Sequence, residues 1–131
     1  MRLFRRGPGR VTAREAAERT GHTPAGRGGA PAAPGGSVLL DVREGHEWRS
    51  GHAPGATHLP LSALAAGAPL PPGTGGRPLV VICRSGQRSR KAAALLTARG
   101  AAAVDVVGGM RDWVRAGLPV VDQRGEDGTI A

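Results

Sequence analysis

The sequence has only one cysteine, Cys83, among its 131 residues. A single cysteine excludes an intramolecular disulfide and any zinc site built from several thiolates. Cys83 is therefore either a packed apolar residue or a reactive thiol. Aromatic residues make up 2% of the chain and tyrosine is absent, so the sequence offers no platform of rings on which nucleic-acid bases would stack.

Long apolar runs are absent as well. No stretch approaches the roughly 18 uninterrupted apolar residues that a membrane-spanning helix needs. The basic start, MRLFRRGPGR, is followed by charged residues and not by the apolar segment of a secretory signal. We therefore expect a soluble, cytoplasmic protein without a membrane partner, and the length suits one domain.

Positive charge is concentrated towards the N-terminus. The formal net charge is +8, and residues 1–36 hold seven arginines against two glutamates. Such a segment could contact nucleic acid or an acidic partner, but a solvated tail is the simpler interpretation, and we do not expect a nucleic-acid partner. Residues 1–10 carry neither an apolar stripe nor a catalytic group, so we expect their removal to leave folding and activity nearly intact.

The composition divides the chain into three parts. Residues 1–36 are predicted to be a basic N-terminal tail that contains a short helix over 11–20 and a Gly/Pro-rich connector over 24–36. Residues 37–121 are predicted to be the folded domain, to which the 11–20 helix can be added, and residues 122–131 a C-terminal tail. In that helix Thr12 and Glu15 have the spacing of a capping box, and the largely alanine face is expected to contribute little burial.

Apolar strands alternate with helical segments after residue 37. We predict strands over 38–42, 79–82 and 104–107, and helices over 44–50, 88–99 and 110–116. Strands that alternate with helices across short loops favour an α/β fold with a largely parallel sheet. The carboxyl ends of parallel strands form one rim, so we expect Asp41, Arg43, Cys83 and Gly108 to lie there together.

The segment CRSGQRS, residues 83–89, lies between a predicted strand and a helix start. Gly86 allows the backbone to curl so that successive amide hydrogens point inwards and form a site for anions. The helix N-terminus, Arg84 and Arg88 add positive charge. We therefore predict that Cys83 is a nucleophile in the thiolate form, not an inert core residue.

Three segments in order resemble the rhodanese-like family. They are LLDVREGHEWRSGHAPGATHLPLSAL at 39–64, VVICRSGQRS at 80–89 and GGMRDWVRAGLPV at 108–120. The resemblance implies a three-layer α/β fold with a mostly parallel central sheet flanked by helices. It also implies a sulfurtransferase that takes sulfur from a small anionic donor such as thiosulfate and passes it from a persulfide to a thiophilic acceptor, either cyanide or a small-molecule or protein thiol. No cofactor and no metal are implied.

The same resemblance assigns roles to particular residues. Cys83 would carry the sulfur, Arg88 would be the second catalytic residue, and Asp41 and Arg43 would brace the loop from the neighbouring strand. Two positions depart from the family's usual pattern: Ile82 stands where an aromatic residue is common, and Gly45 where a proline is common. The residues implied to bind the substrate are Arg84, Ser85, Gly86, Gln87 and Ser89.

Two other functions remain open from the sequence. The first is phosphatase or arsenate reductase activity. Dual-specificity phosphatases of this fold have five residues between the cysteine and the arginine of the loop, whereas Cys83 and Arg88 are separated by four. A persulfide carrier or binding module without turnover is the other alternative. His46, His52 and His58 match no common metal-ligand spacing, and the resemblance gives His52 a turn-bracing role.

Overall fold

The computed structural model describes residues 9–24 and 36–130. In this part of the chain, five strands form one sheet in the order β1-β5-β4-β2-β3, and every neighbouring pair is parallel. The predicted α/β class with a mostly parallel sheet is confirmed. The strands are β1 Arg10–Val11, β2 Val38–Asp41, β3 Thr57–His58, β4 Leu79–Ile82 and β5 Ala103–Val106, and the helices are α1 Ala13–Thr20, α2 Gly45–Ser50, α3 Leu61–Ala65, α4 Gln87–Ala98 and α5 Gly109–Arg115.

The two central strands, β2 and β4, are buried along their whole length. Their side chains are apolar on both faces, apart from Asp41, because helices cover both sides of a parallel sheet. Leu39, Val80 and Ile82 pack with α1 and α5, whereas Leu40 and Val81 pack with α3 and α4. The fold therefore has three layers, with the sheet between two helical layers.

Helix α1 begins at the predicted N-cap. The Glu15 N–H donates to Thr12 Oγ1 at 3.1 Å, and the Thr12 N–H donates to Glu15 Oε1 at 2.8 Å, which completes the capping box. The expectation of little burial is wrong, because Ala13, Ala16 and Ala17 are each at most 5% exposed and belong to the core. Small side chains allow this helix to lie close to the sheet.

Residues on both sides of the predicted domain pack with it. Strand β1 pairs with β5, and α1 packs on the sheet. Residues 10–22 therefore belong to the same core as the folded domain predicted over residues 37–121. Val121 bridges His52 and Asp127, and Ile130 packs against the same core. The connector predicted over 24–36 lies largely outside the described residues. Among the described residues, even α4, the longest helix with 12 residues, is not long and apolar enough to span a membrane.

His22 fastens the end of α1 to the loop before β3. Its side chain is buried, Nε2 lies 2.6 Å from the Pro54 carbonyl oxygen, and Nδ1 lies 2.8 Å from Thr20 Oγ1. The imidazole also meets the Trp113 ring edge-on at 4.9 Å. Burial lowers the pKa of His22 below its usual value of 6.5, so the folded state favours the neutral ring.

This shift predicts that stability falls with acidification. Because the unfolded chain binds the His22 proton more tightly, the His22 contribution is fully present above about pH 6.5 and is lost as the pH drops towards the lowered folded value. The free energy of unfolding of the wild type is expected to fall between pH 7.5 and pH 5. In His22→Gln this fall is expected to be smaller, and urea denaturation at both pH values measures it. Substitution of the exposed His46 by Gln is the control, and an unchanged pH slope in His22→Gln would contradict the assignment.

Candidate active site

The registers of the sheet bring the ends of three strands to one edge. Asp41 pairs with Ile82, the residue before Cys83, and Asp105 pairs with Val81. The loop from Cys83 to Gly86 leaves β4 at this edge and leads directly into α4. Cys83 is 1% exposed, and the Gly86 N–H donates to its Sγ at 3.1 Å.

Gly86 is required at its position. Its φ of 103° lies in the left-handed region, and a Cβ there would come within 3.0 Å of the Gly108 nitrogen and 3.3 Å of Arg10 Nη2. The turn directs the Gly86 N–H at the sulfur, as expected for an inward-facing loop.

The start of α5 closes against the loop. The Met110 N–H donates to the Cys83 carbonyl at 2.7 Å, and the Arg111 N–H donates to the Arg84 carbonyl at 3.1 Å. Position 109 accepts only glycine without rearrangement, because a Cβ there would lie 2.3 Å from the Cys83 carbonyl oxygen. The Cys83 and Arg84 carbonyl groups are thus bonded to α5. Because α5 directly follows β5, these bonds hold the loop in position relative to the end of β5.

Asp41 and Arg43 form an ion pair that is fully buried. Arg43 Nε lies 3.0 Å from Asp41 Oδ1, Nη2 lies 2.8 Å from Oδ2, and both side chains are 0% exposed. Arg43 Nη2 also donates to the Gly51 carbonyl at 2.7 Å and Nη1 to the Glu47 carbonyl at 3.4 Å. The pair is therefore not a surface feature, and it holds α2 beside the loop.

Arg88 is paired with a carboxylate that the sequence did not indicate as a site residue. Its Nη1 and Nη2 lie 2.6 and 2.8 Å from the two carboxylate oxygens of Glu47. This two-point hydrogen bond with Arg88 lowers the pKa of Glu47 to about 2. Glu47 also caps α2 by accepting the Glu44 N–H at 3.0 Å.

Arg10 and Asp105 are two further residues that sequence reasoning missed. Arg10 Nε lies 3.0 Å from Asp105 Oδ1, and Nη2 donates to the Gly86 carbonyl at 2.8 Å. Asp105 Oδ2 in turn accepts a 2.8 Å bond from Ser89 Oγ. The expectation that removal of residues 1–10 leaves folding and activity nearly intact stays untested, but the deletion would take away Arg10, which bonds both Asp105 and the loop.

The remaining predicted residues surround the loop at different depths. Ser85 and Gln87 are exposed at its surface, and Arg84 is half-buried. Ser89 is fully buried, and its Oγ lies 3.4 Å from Cys83 Sγ. Ser89 thus lies beneath the sulfur and not at the mouth of the site, and its role in binding a substrate stays a prediction.

Two of the three histidines considered as metal ligands stack on Trp48. The His52 ring lies 3.6 Å from the Trp48 ring and the His58 ring 4.7 Å, both nearly parallel to it. His52 Nδ1 lies 2.7 Å from the Trp48 carbonyl oxygen and His58 Nε2 lies 2.7 Å from the Arg43 carbonyl oxygen. In residues 9–24 and 36–130 no group of three or more His, Cys, Asp or Glu side chains is arranged to hold a metal ion.

A parallel α/β sheet with a buried cysteine in a tight, glycine-containing loop at its carboxyl edge defines a class of α/β domains with a cysteine loop at the end of a strand. The sequence model of the "Rhodanese-like domain" family matches residues 30–116. The chain belongs to the rhodanese-like domain family, a sulfurtransferase family.

Named relatives agree with this membership. Over 88 residues the chain is 40% identical to "Thiosulfate sulfurtransferase GlpE" of Pseudomonas savastanoi, covering 64% of this chain and 77% of that protein. It is 38% identical over 76 residues to "Putative sulfur carrier protein YrkF" of Bacillus subtilis, covering 57% of this chain. The matched region is 40% of that second protein, so the chain spans less than half of its length.

Solved structures show the same fold. A rhodanese-related protein from Thermoplasma volcanium superposes with a TM-score of 0.57 at 33% identity, covering 65% of this chain and 83% of that one. The predicted rhodanese-like fold is thereby confirmed.

The Arg88–Glu47 pair predicts an acid-sensitive contribution to stability. The ordinary glutamate pKa of 4.5 falls to about 2 in the folded protein, so the contribution is present above about pH 4.5 and is lost as the pH falls towards 2. We expect the difference in unfolding free energy between wild type and Glu47→Gln to be constant above about pH 5.5 and to shrink below 4.5. Urea denaturation across this range measures it. A difference that stays constant down to pH 3 would show that the pair does not form in solution.

Proposed function

We propose that the protein is a sulfurtransferase that takes sulfur from a small anionic donor such as thiosulfate and carries it as a persulfide on Cys83. It then passes the sulfur to a thiophilic acceptor, either cyanide or a thiol. The observation that carries this proposal is the Gly86 N–H at 3.1 Å from Cys83 Sγ, at the start of α4. The donor class agrees with the name of one relative, "Thiosulfate sulfurtransferase GlpE".

The reaction balances with no cofactor. The Cys83 thiolate attacks the outer sulfur of thiosulfate, a sulfur–sulfur bond forms at Sγ, and the bond to the SO₃ group breaks so that sulfite leaves with the electron pair. The product is a persulfide anion. Cyanide attacks the terminal sulfur and leaves as thiocyanate, and the bond electrons return to Sγ as the thiolate.

Backbone amides provide the stabilisation that this anion needs. The terminal sulfur of a persulfide extends from Sγ into the turn that leads to α4, where loop amides and the helix N-terminus favour negative charge. Four residues separate Cys83 from Arg88, which suits a single terminal sulfur better than a tetrahedral phosphate. Arg84 and Arg88 supply cations at the rim, and the charge of Arg88 is shared with Glu47.

The persulfide is the first test of the proposal. Incubation of the purified protein with thiosulfate is expected to add the mass of one sulfur atom, and cyanide is expected to remove it with release of thiocyanate. Cys83→Ser is expected to show neither step, since a hydroxyl is a much weaker nucleophile, while keeping the wild-type circular dichroism spectrum. Intact-protein mass spectrometry measures both steps.

Three other results are informative. Hydrolysis of a phosphate ester by a protein that never gains sulfur would overturn the proposal in favour of phosphatase chemistry. Gain of sulfur without release of thiocyanate would identify a persulfide carrier without turnover. An unmodified and inactive protein would identify a binding module.

Arg88 provides a second test. Substitution of Arg88 by Ala removes a cation beside the loop and leaves the Glu47 carboxylate to repel an anionic donor. We expect turnover of thiosulfate to fall by about tenfold to a hundredfold, the value of one charge-assisted contact. Arg90→Ala, an exposed position on the same helix, is the matched control. Equal turnover in the two variants would show that Arg88 only holds α2.

A further inference from the structure

Four side chains form a continuous hydrogen-bonded chain beneath the loop. Cys83 Sγ lies 3.4 Å from Ser89 Oγ, and Ser89 Oγ lies 2.8 Å from Asp105 Oδ2. Arg10 Nη2 lies 3.1 Å from the same Asp105 oxygen, and Arg10 Nε lies 3.0 Å from the other. Ser89 and Asp105 are at most 1% exposed, and the transfer of sulfur described above uses neither of them.

The donors and acceptors of this chain have a definite direction. The Asp105 carboxylate, held by Arg10, can only accept, so the one hydroxyl hydrogen of Ser89 points to Oδ2. Ser89 Oγ then faces Cys83 with its lone pairs. A protonated thiol can donate to those lone pairs, whereas a thiolate gains nothing from them. This contact by itself stabilises the S–H form, whereas the Gly86 N–H at 3.1 Å from Sγ stabilises the thiolate.

Charge acts in the same direction as the Ser89 contact. Asp105 is a buried negative charge linked to the thiol through one hydroxyl, and Arg10, whose side chain is 33% exposed, offsets only part of it. The other carboxylates near the loop, Asp41 and Glu47, have guanidinium partners and do not bond to Ser89. The charged side chains that bond to the loop or to one another beside it are Arg10 of β1, Asp105 of β5, Arg88 of α4, Glu47 of α2, and Asp41 and Arg43 at the end of β2. Arg84 lies in the loop itself.

We propose that Asp105, acting through Ser89, opposes the ionisation of Cys83 and so sets the pH above which the nucleophile forms. Asp105 is thus a positioning residue. Ionisation breaks the Sγ–H bond and gives the proton to solvent, and Ser89 must then turn its hydrogen from Oδ2 to Sγ to stabilise the anion. The consequence for turnover rests on the proposed function, but the ionisation itself needs no sulfur donor.

Alkylation of the single cysteine tests the proposal directly. The rate with iodoacetamide, followed by intact mass against pH, reports the thiolate of Cys83 alone. Asp105→Asn removes the charge, leaves Arg10 unpaired, and gives Ser89 an amide donor that turns the hydroxyl hydrogen towards Sγ. We expect the midpoint of the profile to fall by about one pH unit, which raises the rate below the midpoint about tenfold. The control Asp122→Asn, at an exposed turn, is expected to keep the wild-type midpoint.

The opposite result has a clear meaning. A midpoint that rises in Asp105→Asn would show that Asp105 accepts the thiol proton through Ser89, and an unchanged midpoint would show no coupling. Either result overturns the proposal. A shifted midpoint in a protein that takes no sulfur from thiosulfate would leave this inference standing and refute the proposed function, so the two failures are distinguishable.

A second measurement does not depend on the folding of Asp105→Asn. Below the alkylation midpoint, the Raman S–H stretching band of the wild type is expected at the lower frequency of a hydrogen-bonded thiol. The Ser89→Ala variant removes the acceptor, so its band is expected at the position of a free thiol. Identical bands in the two proteins would overturn the proposal.

Discussion

The amide hydrogens of a tight loop can point inwards only if the carbonyl groups of the same peptides find partners outside it. The other elements at the carboxyl edge of this sheet meet that requirement. Backbone amides at the start of α5 bond the carbonyls of Cys83 and Arg84, and the Arg10 guanidinium bonds the carbonyl of Gly86. The loop, strand β1 with Arg10 and the start of α5 therefore depend on one another.

Paired charges surround this loop. Arg43, Arg88 and Arg10 each bind a carboxylate, so the site is less positive than its arginine content indicates. Removal of one partner from a buried pair leaves an uncompensated charge, which is far more costly than the loss of a surface ion pair. These pairs fix α2, α4 and β1 against the loop.

Local patterns in the sequence predicted a large part of this arrangement. The apolar runs of β2 and β4, the capping box of α1 and the helix predicted over 88–99 are decided by neighbouring residues, and the structure has them within a residue or two. The two-residue strands β1 and β3 and the short helix α3 escaped prediction. Elements of that length carry no periodic pattern, and they form because longer neighbours supply hydrogen bonds and packing.

The sequence alone determined the identity and local setting of the candidate nucleophile: one cysteine, after an apolar strand, in a glycine-containing turn before a helix. It also determined the family, since three motifs occur in order. Only the tertiary structure decided which charges meet there. Glu47 is 41 residues from Arg88 and Asp105 is 95 from Arg10, and no local pattern relates side chains at such separations. Parallel pairing of β1 with β5 and the position of α2 bring them together, because crossover connections place residues from distant parts of the chain at one edge of the sheet.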